Sequence, residues 1–255
     1  MNIKTVCEIV RESDAIFFNE TFRSDVREKG ASDYVTRADL EISAFLHRRL
    51  QEEFPDVGFL SEEESACIVP GQAYWILDPI DGTTNYMHGL GSLSAVSLGY
   101  CVDGEVTAGI IYFPYAKELF WAEKGCGAYL NETPVSVAKN AVLSDCLALM
   151  EYNAYFKNDC AAALEHAKKL YLSCQDLRTF GCAAASMAYV ACGRADVFLG
   201  RYLKPWDYAA GLILVKEAGG MVSEPDGSLH ITQLNRHILA SSSAAYPAFR
   251  DLINA

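Results

Sequence analysis

The segment WILDPIDGTTNYMHG, Trp75 to Gly89, carries the densest chemistry in the chain: an apolar run leads straight into Asp78 and Asp81, two acids three positions apart. Pro79 between them has no N–H, fixes its own φ and pushes Asp78 to an extended conformation, so the chain leaves a sheet at this point. Such a turn can aim both carboxylates and the Ile80 carbonyl at one place. Hard divalent cations seek several oxygens at short range, and Mg2+ takes one or two carboxylates while keeping waters for substrate phosphate oxygens; Asp78 could bridge two such ions. Gly82, Thr83 and Thr84 follow, and Gly-Thr-Thr-Asn just after a strand is a helix entry whose free N–H groups, those of Gly82 and Thr83 foremost, suit a phosphate. An isolated Asp-Pro or Asp-Gly is more often only a turn. Both together at the end of one strand favour the functional reading.

Two other segments place acids beside apolar runs. GFLSEEES, Gly58 to Ser65, contains Glu62, Glu63 and Glu64, which alone would be a solvated charge run. LKPWDYAAGLILVKEAGG, Leu203 to Gly220, opens a helix at Pro205, Trp206 and Asp207, keeps its apolar residues largely inward and ends in glycines. Asp207 falls in the first turn, where the helix dipole favours a carboxylate whatever its use. His88 reads as a structural hydrogen-bonding residue beside a turn. Cys182, at a helix start, reads as inert packing.

These residues need a framework, and the composition supplies one. The chain has 255 residues, 51% hydrophobic and 21% charged, inside the globular range and outside the disordered one. Lys plus Arg number 21 against 33 Asp plus Glu, a net charge of −12 that disfavours direct nucleic-acid or anionic-lipid binding and favours cations as partners. Nine scattered cysteines without a C-x-x-C pair suggest buried thiols in a reducing, cytoplasmic compartment. Charges at Lys4, Glu8, Arg11 and Glu12 interrupt any signal-peptide core, and no apolar stretch reaches the roughly 20 residues of a membrane span.

Helical spacing predicts one amphipathic helix within residues 1 to about 28 and a second around Leu40 to Leu50. Strand-like runs then follow (VGFLS, AYWILD, LSAVSLGYCV, EVTAGIIYF, ELFWAE), with a hairpin at Asp103-Gly104, giving a mostly antiparallel sheet. Beyond Pro134 strands and helices alternate: CLALM, a helix near 158 to 172, LRTF, a helix from Cys182 to Cys192, DVFL, a helix from Asp207 to Ala218, MVSE and ILAS. No linker separates the parts. We expect an N-terminal α+β subdomain over 1–139 and a C-terminal α/β subdomain over 140–255, packed as one body with the ligand in the cleft between them.

FLSEE, WILDPIDGTTN, PWDYAAG and EAGG, in that order, resemble the inositol monophosphatase family of Mg2+-dependent, lithium-sensitive phosphatases. SDYVTRAD at 32–39 and GCAAASMAYVACGRAD at 181–196 extend the resemblance to nearly the whole chain. It implies a layered α-β-α-β-α sandwich, commonly a homodimer, and two to three Mg2+ ions. On this resemblance Glu62, Asp78 and the Ile80 carbonyl hold one ion, Asp78, Asp81 and Asp207 a second, and Glu62, with Glu63 adjacent, meets a third near Lys29. Thr83 with Asp39, helped by Asp81, orients and deprotonates the attacking water, without a covalent phosphoenzyme. Asp81, Gly82, Thr83, Gly181, Cys182, Ala183 and Asp207 line the substrate.

The pattern departs at one place. Inositol-hydrolysing members carry a glutamate where this chain has Gly200, and Arg201 and Lys204 beside it could meet a second anionic group. The resemblance therefore implies hydrolysis of inositol 1-phosphate or a related polyol or sugar phosphate. Its alternatives are fructose 1,6-bisphosphate, histidinol phosphate and NADP or nucleotide 3′-phosphates. A different class of role is a regulatory partner of the transcription machinery with little catalysis.

Overall fold

The computed structural model describes residues 1–64, 71–152, 154–229, 231 and 235–255. Ser65, the last residue of GFLSEEES, lies outside them. Among the described residues the chain opens with α1 (Ile3–Arg11), α2 (Asp14–Phe17) and α3 (Glu20–Ser24), where the periodicity predicts one helix. The breaks have local causes. Ser13 Oγ donates to the Val10 carbonyl at 2.6 Å, and the Asn19 side chain accepts from the Thr21 and Phe22 N–H groups, restarting the helix as a cap. A hairpin follows, β1 (Val26–Gly30) with β2 (Asp33–Thr36), and then α4 (Arg37–Glu53). β1 is exposed along its whole length, so no burial pattern marks it in the sequence.

The larger sheet is seven-stranded among the described residues. It runs in sequence order through β3 (Gly58–Ser61), β4 (Tyr74–Asp81), β5 (Ala95–Val102), β6 (Glu105–Phe113), β7 (Glu118–Glu123), β8 (Gly127–Leu130) and β9 (Thr133–Val135), with α5 (Thr83–Met87) inserted after β4. Only the β3–β4 pair is parallel within it. The hairpin at Asp103-Gly104 forms as expected, both residues having positive φ.

The second sheet is built from β10 (Leu147–Tyr152), β11 (Asp176–Arg178), β12 (Val197–Leu203), β13 (Gly220–Ser223) and β14 (Arg236–Ser242), in the order β11-β10-β12-β14-β13. Helices α6 (Cys160–Ser173), α7 (Ala183–Ala191), α8 (Pro205–Glu217) and α9 (Tyr246–Asn254) complete the chain. Strand alternation sorts them into layers. Trp75 and Leu77 of β4 pack with α1 and α4, while Tyr74 and Ile76 face α7 and α8. Leu149 and Phe198 of the second sheet meet the same two helices, and Ala148, Met150, Val197 and Leu199 face α9 and Leu170 of α6. The result is a five-layer α-β-α-β-α sandwich. Sandwiched between sheets, α8 is buried on all sides from Tyr208 to Val215. Gly109 of β6 lets it close in, since a Cβ there would lie 2.7 Å from the Ala210 carbonyl.

Candidate active site

Asp78 follows Tyr74 and Ile76 onto the face of β4 that α8 covers, because successive side chains point to opposite faces of a strand. The pairing of β4 with β5 breaks between Asp78 and Asp81, where Pro79 supplies no N–H, and Asp78 Oδ1 accepts the freed Ile80 N–H at 3.0 Å. Glu62 arrives by parallel pairing: Ser61 lies opposite Leu77, and the Glu62 N–H donates to the Leu77 carbonyl at 3.1 Å, leaving Glu62 one step from Asp78.

Asp39 and Asp207 are both placed by helix capping. Each is the third residue of its helix and accepts the N–H of the residue before the helix, Thr36 for Asp39 and Lys204 for Asp207, both at 2.8 Å. Asp39 keeps its other oxygen for Thr83, whose Oγ1 lies 3.2 Å from Asp39 Oδ1 and 3.0 Å from the Ile80 carbonyl oxygen. Asp39 thus stands behind Thr83. The remaining expected residues (Glu62, Asp78, Ile80, Asp81, Gly82, Thr83, Gly181, Cys182, Ala183 and Asp207) line one cavity of about 300 Å³.

The cavity is electrostatically tense. Burial raises the Asp78 carboxyl well above the usual range, and the charges of Glu62, Asp81 and Asp207 push it further. Asp207 is raised by burial and then by Asp81 and Glu62. Asp81 is pushed up to about 6 by burial, against the opposing pull of the Ala184 N–H, which donates to its Oδ2 at 2.6 Å. Burial likewise takes Asp39 up to about 7, although Thr36 hydrogen bonds oppose the shift. Lys29, on the β1–β2 hairpin, offers the cavity edge a counter-charge at 3.1 Å from Glu62 and 2.9 Å from Glu63. Burial would lower its ammonium, but the two glutamates outweigh that and hold it above its ordinary value.

Among the described residues no three His, Cys, Asp or Glu side chains stand close enough to grip one ion as they are arranged. The donor set nevertheless fits hard cations. It offers carboxylates and a carbonyl and no nitrogen or thiolate, and its mutual repulsion is what a divalent ion relieves. Opposite the acids, Gly82 takes φ +86°, and a Cβ there would press on the Gly181 carbonyl at 3.1 Å, so the two turns meet closely. Cys182 caps α7 through its sulfur, and burial followed by the Asp81 charge raises its thiol well above its ordinary value, so it is no nucleophile. His88 is exposed and lies off the cavity.

Arg201 differs from expectation. It points to the opposite face of β12, is only 4% exposed, and is tied to Asp159 and His166. Period-two alternation explains this, since Val197 and Leu199 share that face and Gly200 does not. A bulge with Tyr202 at φ +57° then turns Leu203 back toward the cavity, beside Lys204 and Trp206. The sequence reading also passed over Glu151 and Asn85. Glu151 is a lone acid ending a buried strand, which was the available signal.

A profile of the inositol monophosphatase family matches residues 2–254 of the chain. The chain is 34% identical over 241 residues to the inositol-1-monophosphatase of Caulobacter vibrioides, covering 93% of this chain and 94% of that protein. It is 37% identical over 201 residues to the fructose-1,6-bisphosphatase/inositol-1-monophosphatase of Thermotoga maritima, covering 79% and 75%. The crystal structure of the extragenic suppressor protein suhB from Bartonella henselae superposes with a TM-score of 0.92 at 31% identity, over 98% of this chain and 97% of that one.

Proposed function

The chain belongs to the inositol monophosphatase family and is a Mg2+-dependent phosphoric monoester hydrolase; from that premise we propose that it hydrolyses inositol 1-phosphate or a related polyol or sugar phosphate. The observation that carries this reading is the convergence of Glu62, Asp78, Asp81 and Asp207 with Thr83 on one cavity whose volume, about 300 Å³, suits a small phosphate ester. Glu62, Asp78 and the Ile80 carbonyl would hold one Mg2+, and Asp78, Asp81 and Asp207 a second. Glu62 and Glu63, paired with Lys29, would help hold a third. Bound there, Mg2+ supplies Lewis acidity to the phosphate oxygens, acidifies water and neutralises charge on the leaving oxygen.

The chain's own groups do the rest. Thr83 Oγ1 orients the attacking water, accepting its proton while passing its own to Asp39. Asp39 suits that task because burial holds its carboxyl near neutrality, at about 7. The Gly82 and Thr83 N–H groups, at the start of α5 where no side chain caps the helix, would meet the phosphate oxygens. The leaving group meets the backbone of Gly181, Cys182 and Ala183 and the side chains of Leu203 and Trp206.

Both halves, 1–139 and 140–255, line this site, with Asp207 of the second joining the acids of the first. Free thiols at every described cysteine support a cytoplasmic setting. Exposed Leu164, Tyr171 and Leu172 on α6 are compatible with a homodimer. No helix among the described residues is long and apolar enough to cross a membrane. The test is phosphate release from inositol 1-phosphate, fructose 1,6-bisphosphate, histidinol phosphate and nucleotide 3′-phosphates, with Mg2+ and with chelator. The expected result is Mg2+-dependent release, fastest with the polyol ester. Equal, negligible release by wild type and Asp81→Asn would instead favour a regulatory binding role.

A further inference from the structure

Glu151 closes the otherwise apolar strand β10, on the face that Leu149 turns toward α7. Its side chain belongs to a residue only 6% exposed, and no cation pairs with it among the described residues. Three donors reach its carboxylate: the Phe180 N–H at 2.7 Å, the Gly181 N–H at 2.8 Å and Ser186 Oγ at 2.9 Å. The same turn is held from the other side by Asn85, whose Nδ2 donates to the Phe180 carbonyl at 2.6 Å and the Leu93 carbonyl at 3.0 Å. Gly181 is left-handed at φ +69°, and Cys182 and Ala183, which line the cavity, follow at once. A buried carboxylate without a counter-ion is costly unless its hydrogen bonds are satisfied. Here two of its three bonds go to the Phe180–Gly181 turn and the third to Ser186 of α7, the helix into which that turn leads.

We propose that Glu151 is a positioning residue for substrate binding: it clamps the Phe180–Gly181 turn so that the Gly181–Ala183 backbone stands at the right height against the leaving group. This rests on the phosphatase reading above. The role predicts a rise in KM that exceeds any fall in kcat: Glu151 hydrogen-bonds none of the acids assigned to Mg2+, and the segment it clamps reaches them through the Ala184 N–H on Asp81. Asn85 and Glu151 hold one turn, so their effects should be coupled.

The test uses the full chain with saturating Mg2+ and the best ester of the panel. Glu151→Gln should raise KM roughly tenfold, the scale of a lost charge-assisted hydrogen bond, with kcat within about twofold of wild type and an unchanged Mg2+ half-saturation. Ser186→Ala, which keeps the carboxylate, should raise KM about threefold and serves if Glu151→Gln fails to fold. Glu151→Gln with Asn85→Ser should raise KM by less than the product of the single changes. An unchanged KM in both single variants, a fall in kcat as large as the rise in KM, or a shifted Mg2+ half-saturation would overturn the proposal. No release by wild type would defeat the phosphatase reading itself, a distinct outcome.

Discussion

Asp78, Asp81, Asp207 and Glu62 crowd the side of the cavity formed by the ends of β3 and β4 and the first turn of α8. Across from them the ends of β10 and β12 present Tyr152 and Leu203, and the turn into α7 presents the backbone of Gly181–Ala183, with Lys204 and Trp206 between. The first wall stores unfavourable charge: four acids are held together whose carboxyls repel in the absence of a cation. The second is packed like ordinary core, with Leu203 4% exposed and Glu151 fully hydrogen-bonded. On the proposed function the contrast would give the reaction to the charged wall and the choice of leaving group to the packed one. It also predicts that changes on the two walls will register in different measurements.

Asp78→Asn should have the largest effect, lowering kcat on the order of a thousandfold, because Asp78 would serve both of the inner ions. In chelator the same variant should melt higher than wild type, since it removes a buried like charge. A lower melting temperature in chelator would contradict the account of stored repulsion. Thr83→Ala should follow, with kcat down about a hundredfold and KM little changed, measured by steady-state phosphate release.

On the other wall a Cβ added at Gly200 would meet Leu203 Cδ1 at 2.3 Å, so Gly200→Glu alone should bind substrate poorly. Gly200→Glu with Leu203→Ala makes room for the acid. It should shift preference several-fold toward a polyhydroxylated leaving group without altering Mg2+ dependence. If the double variant behaves as the single one, Leu203 is not what fills that space.

The smallest effect is on stability. Asp81, Asp39 and Glu151 are raised in the folded chain to about 6, 7 and 7, whereas an unfolded carboxyl titrates near 4. The folded chain therefore keeps protons that the unfolded chain releases between about pH 4 and 7, and stability falls as pH rises through that window. In chelator the melting temperature should be a few degrees higher near pH 5 than near pH 8, and Mg2+ should erase most of the difference. A melting temperature that climbs over that interval in chelator would refute the shifts.

Much of this was visible before any coordinates. The strand-end position of Asp78 and Asp81 followed from Pro79 and the apolar run before it, and the first-turn position of Asp207 from Pro205. The helices near 160–173, 183–191 and 205–217 lie within a few residues of where periodicity put them. Arg201 does not meet the anionic group expected of it, because alternation along VFLGRYL points it away from the cavity, to Asp159 and His166. The hairpin at 26–36 was missed because an exposed ribbon needs no apolar pattern. Glu151 carried one signal, a lone acid ending an apolar strand, but its partners Phe180, Gly181 and Ser186 lie some thirty residues away, so nothing local showed what it holds.

Residue types and spacing along the chain point to the chemistry proposed here, oxygen donors for hard cations beside a phosphate-sized turn, because strand ends, proline and helix caps act over a few residues. Tertiary packing alone decided which acids share a cavity, which face Arg201 takes and what Glu151 holds. Those depend on where strands and helices remote in sequence come to rest, and the repulsion, burial and hydrogen bonds that give the acids their character exist only once they meet.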